Sequence, residues 1–229
     1  MTNFDILLWD VDGTLLDFAA AEEAAIRALF SEFGIGICTD EMLSRYSAIN
    51  KKYWERLERG EMTKPEILVG RFEEFFKSEG LDSSIAEDFN DRYQLGLGDT
   101  IAYCDDSYEL VSSLKGKIPQ YVVSNGTVIA QTKKLERSGF DKLMDGIFLS
   151  EDLGYEKPRI EFFDIVMKAI GEPEKERVLI VGDSLTSDIL GGNTAGIKTC
   201  FYNPKELKNN TKAVPDYEVK NLREVIGIL

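Results

Sequence analysis

The chain of 229 residues contains no histidine, and that absence removes whole classes of mechanism. There can be no Ser-His-Asp triad, no Cys-His pair, no HExxH zinc site and no imidazole base. Acid–base chemistry near neutral pH falls to carboxylates, lysine, tyrosine or metal-bound water. Cysteine is scarce: Cys38, Cys104 and Cys200 lie far apart without CxxC spacing, and read as reduced thiols rather than a zinc site or disulfide framework. Basic residues are outnumbered, 27 against 41 acidic, which gives a formal charge of −14. That balance argues against a nucleic-acid polymer or an anionic membrane as partner, though not against a small anion in a locally positive pocket. No apolar run approaches the roughly 18 residues needed to span a bilayer. The start Met1-Thr2-Asn3-Phe4-Asp5 lacks the basic and apolar regions of a signal peptide, so a cytoplasmic protein is expected.

What is present is globular. Hydrophobic residues make up 43% and charged residues 30%, enough to bury a core as one large domain or one domain with an insertion. Short apolar runs recur, each ending in a polar or glycine turn: Ile6 to Trp9, Tyr121 to Val123, Ile147 to Leu149, Val178 to Val181 and Thr199 to Tyr202. Runs without polar alternation are buried on both faces, as in a parallel sheet. Helical patterns over 107–116, 127–138, 159–170 and 186–195 lie between them, so the expected fold is a doubly wound α/β domain. The stretch from about 17 to 97 breaks this rhythm with four helices, 18–33, 40–59, 64–78 and 84–95. Thr39 or Asp40 can cap the second, and Thr63 with Glu66 resembles a capping box for the third. An all-helical block entered straight after the first strand reads as an inserted cap. The boundaries are set at 1–16 with 98–229 for the α/β core and 17–97 for the cap.

Three strand ends carry the polar residues: Asp10-Val11-Asp12-Gly13-Thr14, Ser124-Asn125-Gly126 and Gly182-Asp183-Ser184. In an open parallel sheet, ligands bind beyond the carboxyl ends of the strands, so these segments should converge. Alone, each is an ordinary turn or helix cap. Together, and joined by Lys157, they are hard to attribute to turns. An EF-hand is excluded, because the fifth, sixth and twelfth loop positions hold Thr14, Leu15 and Ala21. Two carboxylates near a third at Asp183, with a carbonyl and waters, suit the octahedral oxygen shell of magnesium. The string Gly182-Asp183-Ser184-Leu185 matches a serine-esterase block, but without histidine Ser184 has no conventional base.

The blocks Asp10 to Thr14, Ser124-Asn125, Lys157-Pro158 and Gly182-Asp183-Ser184 through Asp188 occur in order and resemble the haloacid dehalogenase (HAD) superfamily, in its phosphatase form with a helical cap. The resemblance implies a Rossmann-like HAD core and a magnesium-dependent phosphomonoesterase. It makes Asp10 the nucleophile that carries an aspartyl-phosphate, and Asp12 the general acid and base. Magnesium would be held by the Asp10 carboxylate, the Asp12 backbone carbonyl and Asp183. Thr14, Ser124, Asn125 and Lys157 would bind the phosphoryl group, helped by amides at the start of the 127–138 helix. Asp188 would steer Lys157 or metal-bound water. The second aspartate, Asp12, argues against dehalogenation.

In the cap, Tyr46, Asn50, Tyr53, Trp54 and Leu57 share a broad helical face. Packing against other cap helices is the commoner meaning of such a stripe. The sharper one is a wall on which a base stacks, with Asn50 for its edge and Phe18 as a further contact. Leu16-Asp17-Phe18, Ile49-Asn50, Tyr53-Trp54, Gly60 to Lys64 and Arg71-Phe72 resemble the pyrimidine 5′-nucleotidase branch of these enzymes, although Leu16 stands where that branch is expected to carry tryptophan. The expected substrate is a small phosphate monoester, with the protein a monomer or weak dimer. A sugar-phosphate or phosphoglycolate phosphatase, a hexose phosphomutase and a receiver-type signalling domain remain alternatives at this point.

Overall fold

The computed structural model describes residues 3–229, in which strands and helices follow in the order β1 (Ile6–Trp9), α1 (Phe18–Glu32), α2 (Asp40–Glu58), α3 (Lys64–Glu79) and α4 (Ala86–Gly96). The chain continues through α5 (Ser107–Leu114), β2 (Gln120–Ser124), α6 (Val128–Ser138), β3 (Gly146–Leu149), α7 (Ser150–Leu153) and α8 (Ile160–Ala169). It ends with β4 (Val178–Gly182), α9 (Leu190–Ala195), β5 (Lys198–Tyr202) and β6 (Tyr217–Val219). Two compact units result, one made of the residues up to Phe18 together with Ile101–Leu229, the other of Ala19–Thr100. No helix among the described residues is long and apolar enough to cross a membrane.

The first unit holds one parallel sheet in the order β3-β2-β1-β4-β5-β6. The central strands β1 and β4 read as unbroken apolar runs because both their faces are covered. On one side Leu7, Trp9, Val122, Leu179 and Val181 pack with Leu110, Val111 and Leu135. On the other, Ile6, Leu8, Val123 and Ile180 pack with Phe162, Phe163 and Val166 of α8. Each such side chain stabilises the unit by roughly 1.5–3 kcal/mol relative to exposure. Trp9 also donates its ring N–H to Gln120 Oε1 at 3.1 Å, which satisfies the one polar atom it buries. Trp9 is paired with Val122 on one side and Val181 on the other, so the ends of β1, β2 and β4 fall level. The chain winds outward from β1 through β2 to β3, then crosses back to β4 on the other flank. That reversal is the switch point at which such sheets open a crevice.

The sequence pattern predicts one helix over 186–195, whereas the structure has a π-helical turn, Leu185–Ile189, before α9. The Ser184 carbonyl accepts both the Asp188 and the Ile189 N–H, at 3.0 and 3.1 Å, which widens the turn. Asp188 then reaches back and accepts the Ser184 N–H at 3.1 Å.

The helical unit is built around aromatic side chains. Tyr46 stacks on Phe72 with centroids 5.0 Å apart, and Phe30, Phe75, Phe76, Phe89 and Tyr93 close around them. Within this core lies a buried polar chain: Arg71 donates to Asn50 Oδ1 at 2.7 Å, and Asn50 donates to Glu22 Oε2 at 2.8 Å. Burial pushes the Glu22 acid upward, against hydrogen bonds from Ser47, Asn50 and Tyr93 and the Arg71 charge. Thr39 caps α2 by accepting the Met42 N–H, and Glu66 accepts the Thr63 N–H at 2.7 Å to begin α3. A 3-10 turn, Ser83–Ile85, precedes α4, so the α-helix begins two residues later than the pattern suggests.

Candidate active site

Asp10 follows β1 directly, 7% exposed, and its Oδ1 accepts from Lys157 Nζ at 2.8 Å. After Asp10 the backbone turns back on itself: the Val11 carbonyl accepts the Leu15 and Leu16 N–H groups at 3.0 and 2.9 Å. Gly13 sits in this turn at φ 93°, where a Cβ would lie 2.4 Å from Asp183 Oδ2. Only glycine allows the carboxylate from the end of β4 to come so close to the β1 turn. Thr14 is fully buried, with its hydroxyl oxygen unpartnered.

Lys157 is 1% exposed, and all three of its ammonium protons are directed. They go to Asp10 Oδ1 at 2.8 Å, Asp188 Oδ1 at 2.6 Å and the Val123 carbonyl at 2.7 Å. Burial alone would depress this ammonium; Asp10 and Asp188 outweigh it and hold Lys157 above its ordinary value. Asn125 braces the same lysine from behind. Its amide donates to the Lys157 carbonyl and accepts the Lys157 N–H, both at 2.8 Å. Asn125, expected at a phosphoryl oxygen, spends its amide oxygen and one amide N–H on the lysine backbone. Ser124, 2% exposed, accepts the Gly126 N–H at 3.1 Å.

Asp10, Asp183 and Asp188 each offer a carboxylate oxygen within 4.8 Å of the others. Burial, partly offset by Lys157, pushes the Asp10 acid up to about 7. Asp183 opens to solvent at its surface, yet desolvation and then repulsion from Asp10 and Asp188 raise its acid as well. Fully ionised, three carboxylates against one ammonium would place two negative charges in a space a few ångströms across, and burial with that crowding raises the Asp10 and Asp183 acids. A hard divalent cation with oxygen ligands answers that surplus, and the cleared ground over Gly13 lets Asp183 take part. These residues therefore fit magnesium.

Asp12, placed by sequence as acid and base, is held by two side chains of α6. Its Oδ1 accepts from Lys134 Nζ and its Oδ2 from Gln131 Nε2, each at 2.6 Å. The sequence analysis does not single out either partner. The signal was present: Thr127, Gln131 and Lys134 are polar residues at i, i+4 and i+7, and all are buried. The amides that begin α6 are less open than the sequence analysis expects. Val128 N–H goes to Glu151 Oε2 at 2.6 Å and Ala130 N–H to Thr127 Oγ1 at 3.4 Å.

Of the aromatic candidates, Phe18 is half-buried in the α/β unit, with Lys134 Nζ 5.1 Å from its ring centroid. The other three lie in the helical unit. Asn50 spends its oxygen on Arg71 and its nitrogen on Glu22, Tyr53 is buried against Leu57 and Ile67, and Trp54 is half-buried beside them.

The model of the haloacid dehalogenase-like hydrolase family matches residues 4–196. HAD-hydrolase YfnB of Bacillus subtilis (strain 168) is 38% identical over 100% of this chain and 97% of its own. Pyrimidine 5′-nucleotidase PynA of Streptococcus pneumoniae (strain ATCC BAA-255 / R6) is 36% identical over 99% of this chain and 95% of its own. The orthorhombic crystal structure of YfnB bound to magnesium, which reveals interdomain movement in that protein, superposes with a TM-score of 0.93 at 37% identity, covering 100% of this chain and 99% of YfnB.

Proposed function

The chain belongs to the haloacid dehalogenase-like hydrolases, and from that premise we propose that it is a magnesium-dependent phosphomonoesterase acting on pyrimidine nucleoside 5′-monophosphates through an aspartyl-phosphate on Asp10. The observation that carries the reading is the Asp10 carboxyl group held by a fully buried lysine beside the Asp183 and Asp188 carboxyl groups, three acids around one ammonium. The identity with PynA, a pyrimidine 5′-nucleotidase, supports the choice of ester.

A phosphate monoester is a dianion. At about 3.5 Å and an effective dielectric near 20, each of its charges repels the attacking carboxylate by roughly 5 kcal/mol. Asp10 and Asp183 would hold magnesium, which would supply the opposing charge and polarise the phosphoryl oxygens. Asp188 holds Lys157 in reach of Asp10, so the ammonium adds a second positive centre at the reacting group. Ser124 and Thr14 would offer hydroxyls to the phosphoryl oxygens, that of Thr14 being buried without a partner among the described residues. In the first half-reaction an Asp10 oxygen bonds to phosphorus as the ester P–O bond breaks, and the leaving oxygen takes a proton from Asp12. In the second, water bonds to phosphorus as the Asp10–phosphorus link breaks, and Asp12 takes a proton back. Asp12 thus fills the place that the absence of histidine leaves open.

A phosphate-release panel with magnesium tests the reading. Pyrimidine monophosphates should be turned over well ahead of purine monophosphates, sugar phosphates and phosphoglycolate. Faster release from a sugar phosphate or phosphoglycolate would replace the nucleotide assignment and keep the chemistry. Transfer between hexose positions without free phosphate would mean a mutase.

A further inference from the structure

We propose that Lys134 and Gln131 are positioning residues for Asp12, acting chiefly in the half-reaction in which water frees the phosphoryl group. The inference rests on the aspartyl-phosphate reading above. Both residues project from one buried face of α6, and each takes a different oxygen of the Asp12 carboxylate at 2.6 Å. Two donors on two oxygens fix the plane and the rotation of a side chain that is otherwise 24% exposed in a turn. Each oxygen keeps a second lone pair for a proton from water.

Three features separate this arrangement from ordinary packing. Lys134 is 2% exposed although its only ion partner among the described residues is part-exposed. For stability alone, an apolar side chain of similar volume would serve as well as such a pair. The Gln131 amide oxygen is buried with no partner among the described residues, so its contact with Asp12 is kept at a cost that packing does not explain. Finally, the path of Gln131 depends on Gly126, where a Cβ would stand 2.2 Å from Gln131 Nε2. The segment Ser124-Asn125-Gly126 therefore does two things: Asn125 braces Lys157, and Gly126 clears the way to Asp12.

When water attacks, its oxygen bonds to phosphorus as the Asp10 oxygen–phosphorus bond breaks. One proton passes to Asp12, and inorganic phosphate and the free Asp10 carboxylate result. That proton is accepted only if an Asp12 oxygen faces the water, and a displacement of about 1 Å costs roughly a hundredfold in rate. Formation of the phosphoenzyme from an aryl ester is less sensitive, because such a leaving group departs without a proton.

The experiment uses the full chain with magnesium and radiolabelled para-nitrophenyl phosphate, following label on the quenched protein over time. In Lys134→Met and Gln131→Leu, labelling should proceed within about threefold of wild type while loss of label slows roughly a hundredfold. Gly126→Ala keeps every polar group and should show the same split by displacing Gln131 alone. A variant that merely folded less well would lose labelled protein without a change in the decay constant. Variants that shed label at the wild-type rate, or that slow both steps by one factor, overturn the positioning role and leave the phosphatase reading standing. Wild-type protein that never acquires label overturns both.

Discussion

Replacing Lys157 by methionine keeps the length of the side chain and removes the cation that Asp10 and Asp188 share. The ammonium lies 2.8 Å from Asp10 Oδ1 and 2.6 Å from Asp188 Oδ1. At an effective dielectric near 20 each contact is worth about 6 kcal/mol of direct attraction. Much of that is offset by the cost of burying the ions, so the net loss on removing one partner is expected at about 3–5 kcal/mol. With roughly 2–4 °C per kcal/mol for a chain of this size, the thermal midpoint in chelator should fall by about 6–20 °C. Magnesium should then restore more stability to the variant than it adds to wild type, because the uncompensated carboxylates bind it more tightly. Turnover should stay low even with the ion present. Lys52→Met serves as the control, since its ion pair with Glu74 is exposed on both sides and should matter by no more than about 0.5 kcal/mol. The assay is a melt of each protein in chelator and in magnesium. A Lys157→Met midpoint within about 2 °C of wild type in chelator would refute the reasoning.

Gly13→Ala puts a methyl 2.4 Å from Asp183 Oδ2 at a positive φ, so it should cost about 1–3 kcal/mol and raise the half-saturating magnesium severalfold in a phosphate-release titration; an unchanged titration would contradict the crowding. In metal-free protein, the Asp10 acid at about 7 means the folded state keeps a proton that the unfolded chain has given up from its ordinary 3.8 onward. Stability should therefore fall as pH rises from about 4 to about 7, and urea midpoints for wild type minus Asp10→Asn should carry that slope, which magnesium flattens; a rising difference would reverse the sign. Trp54→Ala should weaken turnover of pyrimidine monophosphates more than of para-nitrophenyl phosphate, and equal losses would return Trp54 to packing in the helical unit.

The parallel sheet and its polar strand ends were legible because burial on both faces leaves a one-dimensional trace. Val178 to Val181 has to be interior, and the first polar residues after it have to stand at the sheet's edge. Asp10 and Asp183 are readable on that ground and Lys157 from the resemblance carried by Lys157-Pro158, and the structure draws them together with Asp188. What escaped was each side chain's choice among several polar partners. Asn125 sits next to Ser124 in sequence, but its amide is spent on a backbone 32 residues away. Asn50 lies on an aromatic face that suggests an open wall, yet Glu22 and Arg71, from two other helices, consume it. Lys134 and Gln131 stand with Thr127 at i, i+4 and i+7 on α6 and its N-cap, a spacing that marks one shared helical face but does not tell that Asp12 lies against it.

Turnover by this chemistry requires that the Asp10 carboxylate become covalently phosphorylated. Acid quenching during turnover of a pyrimidine monophosphate with magnesium, followed by mass analysis of the peptide spanning Asp10, measures it most directly. One added phosphoryl group on that peptide in wild type, absent from Asp10→Asn, is the result the account predicts. Released phosphate with no such adduct under any quench, or an adduct that persists in Asp10→Asn, would contradict it.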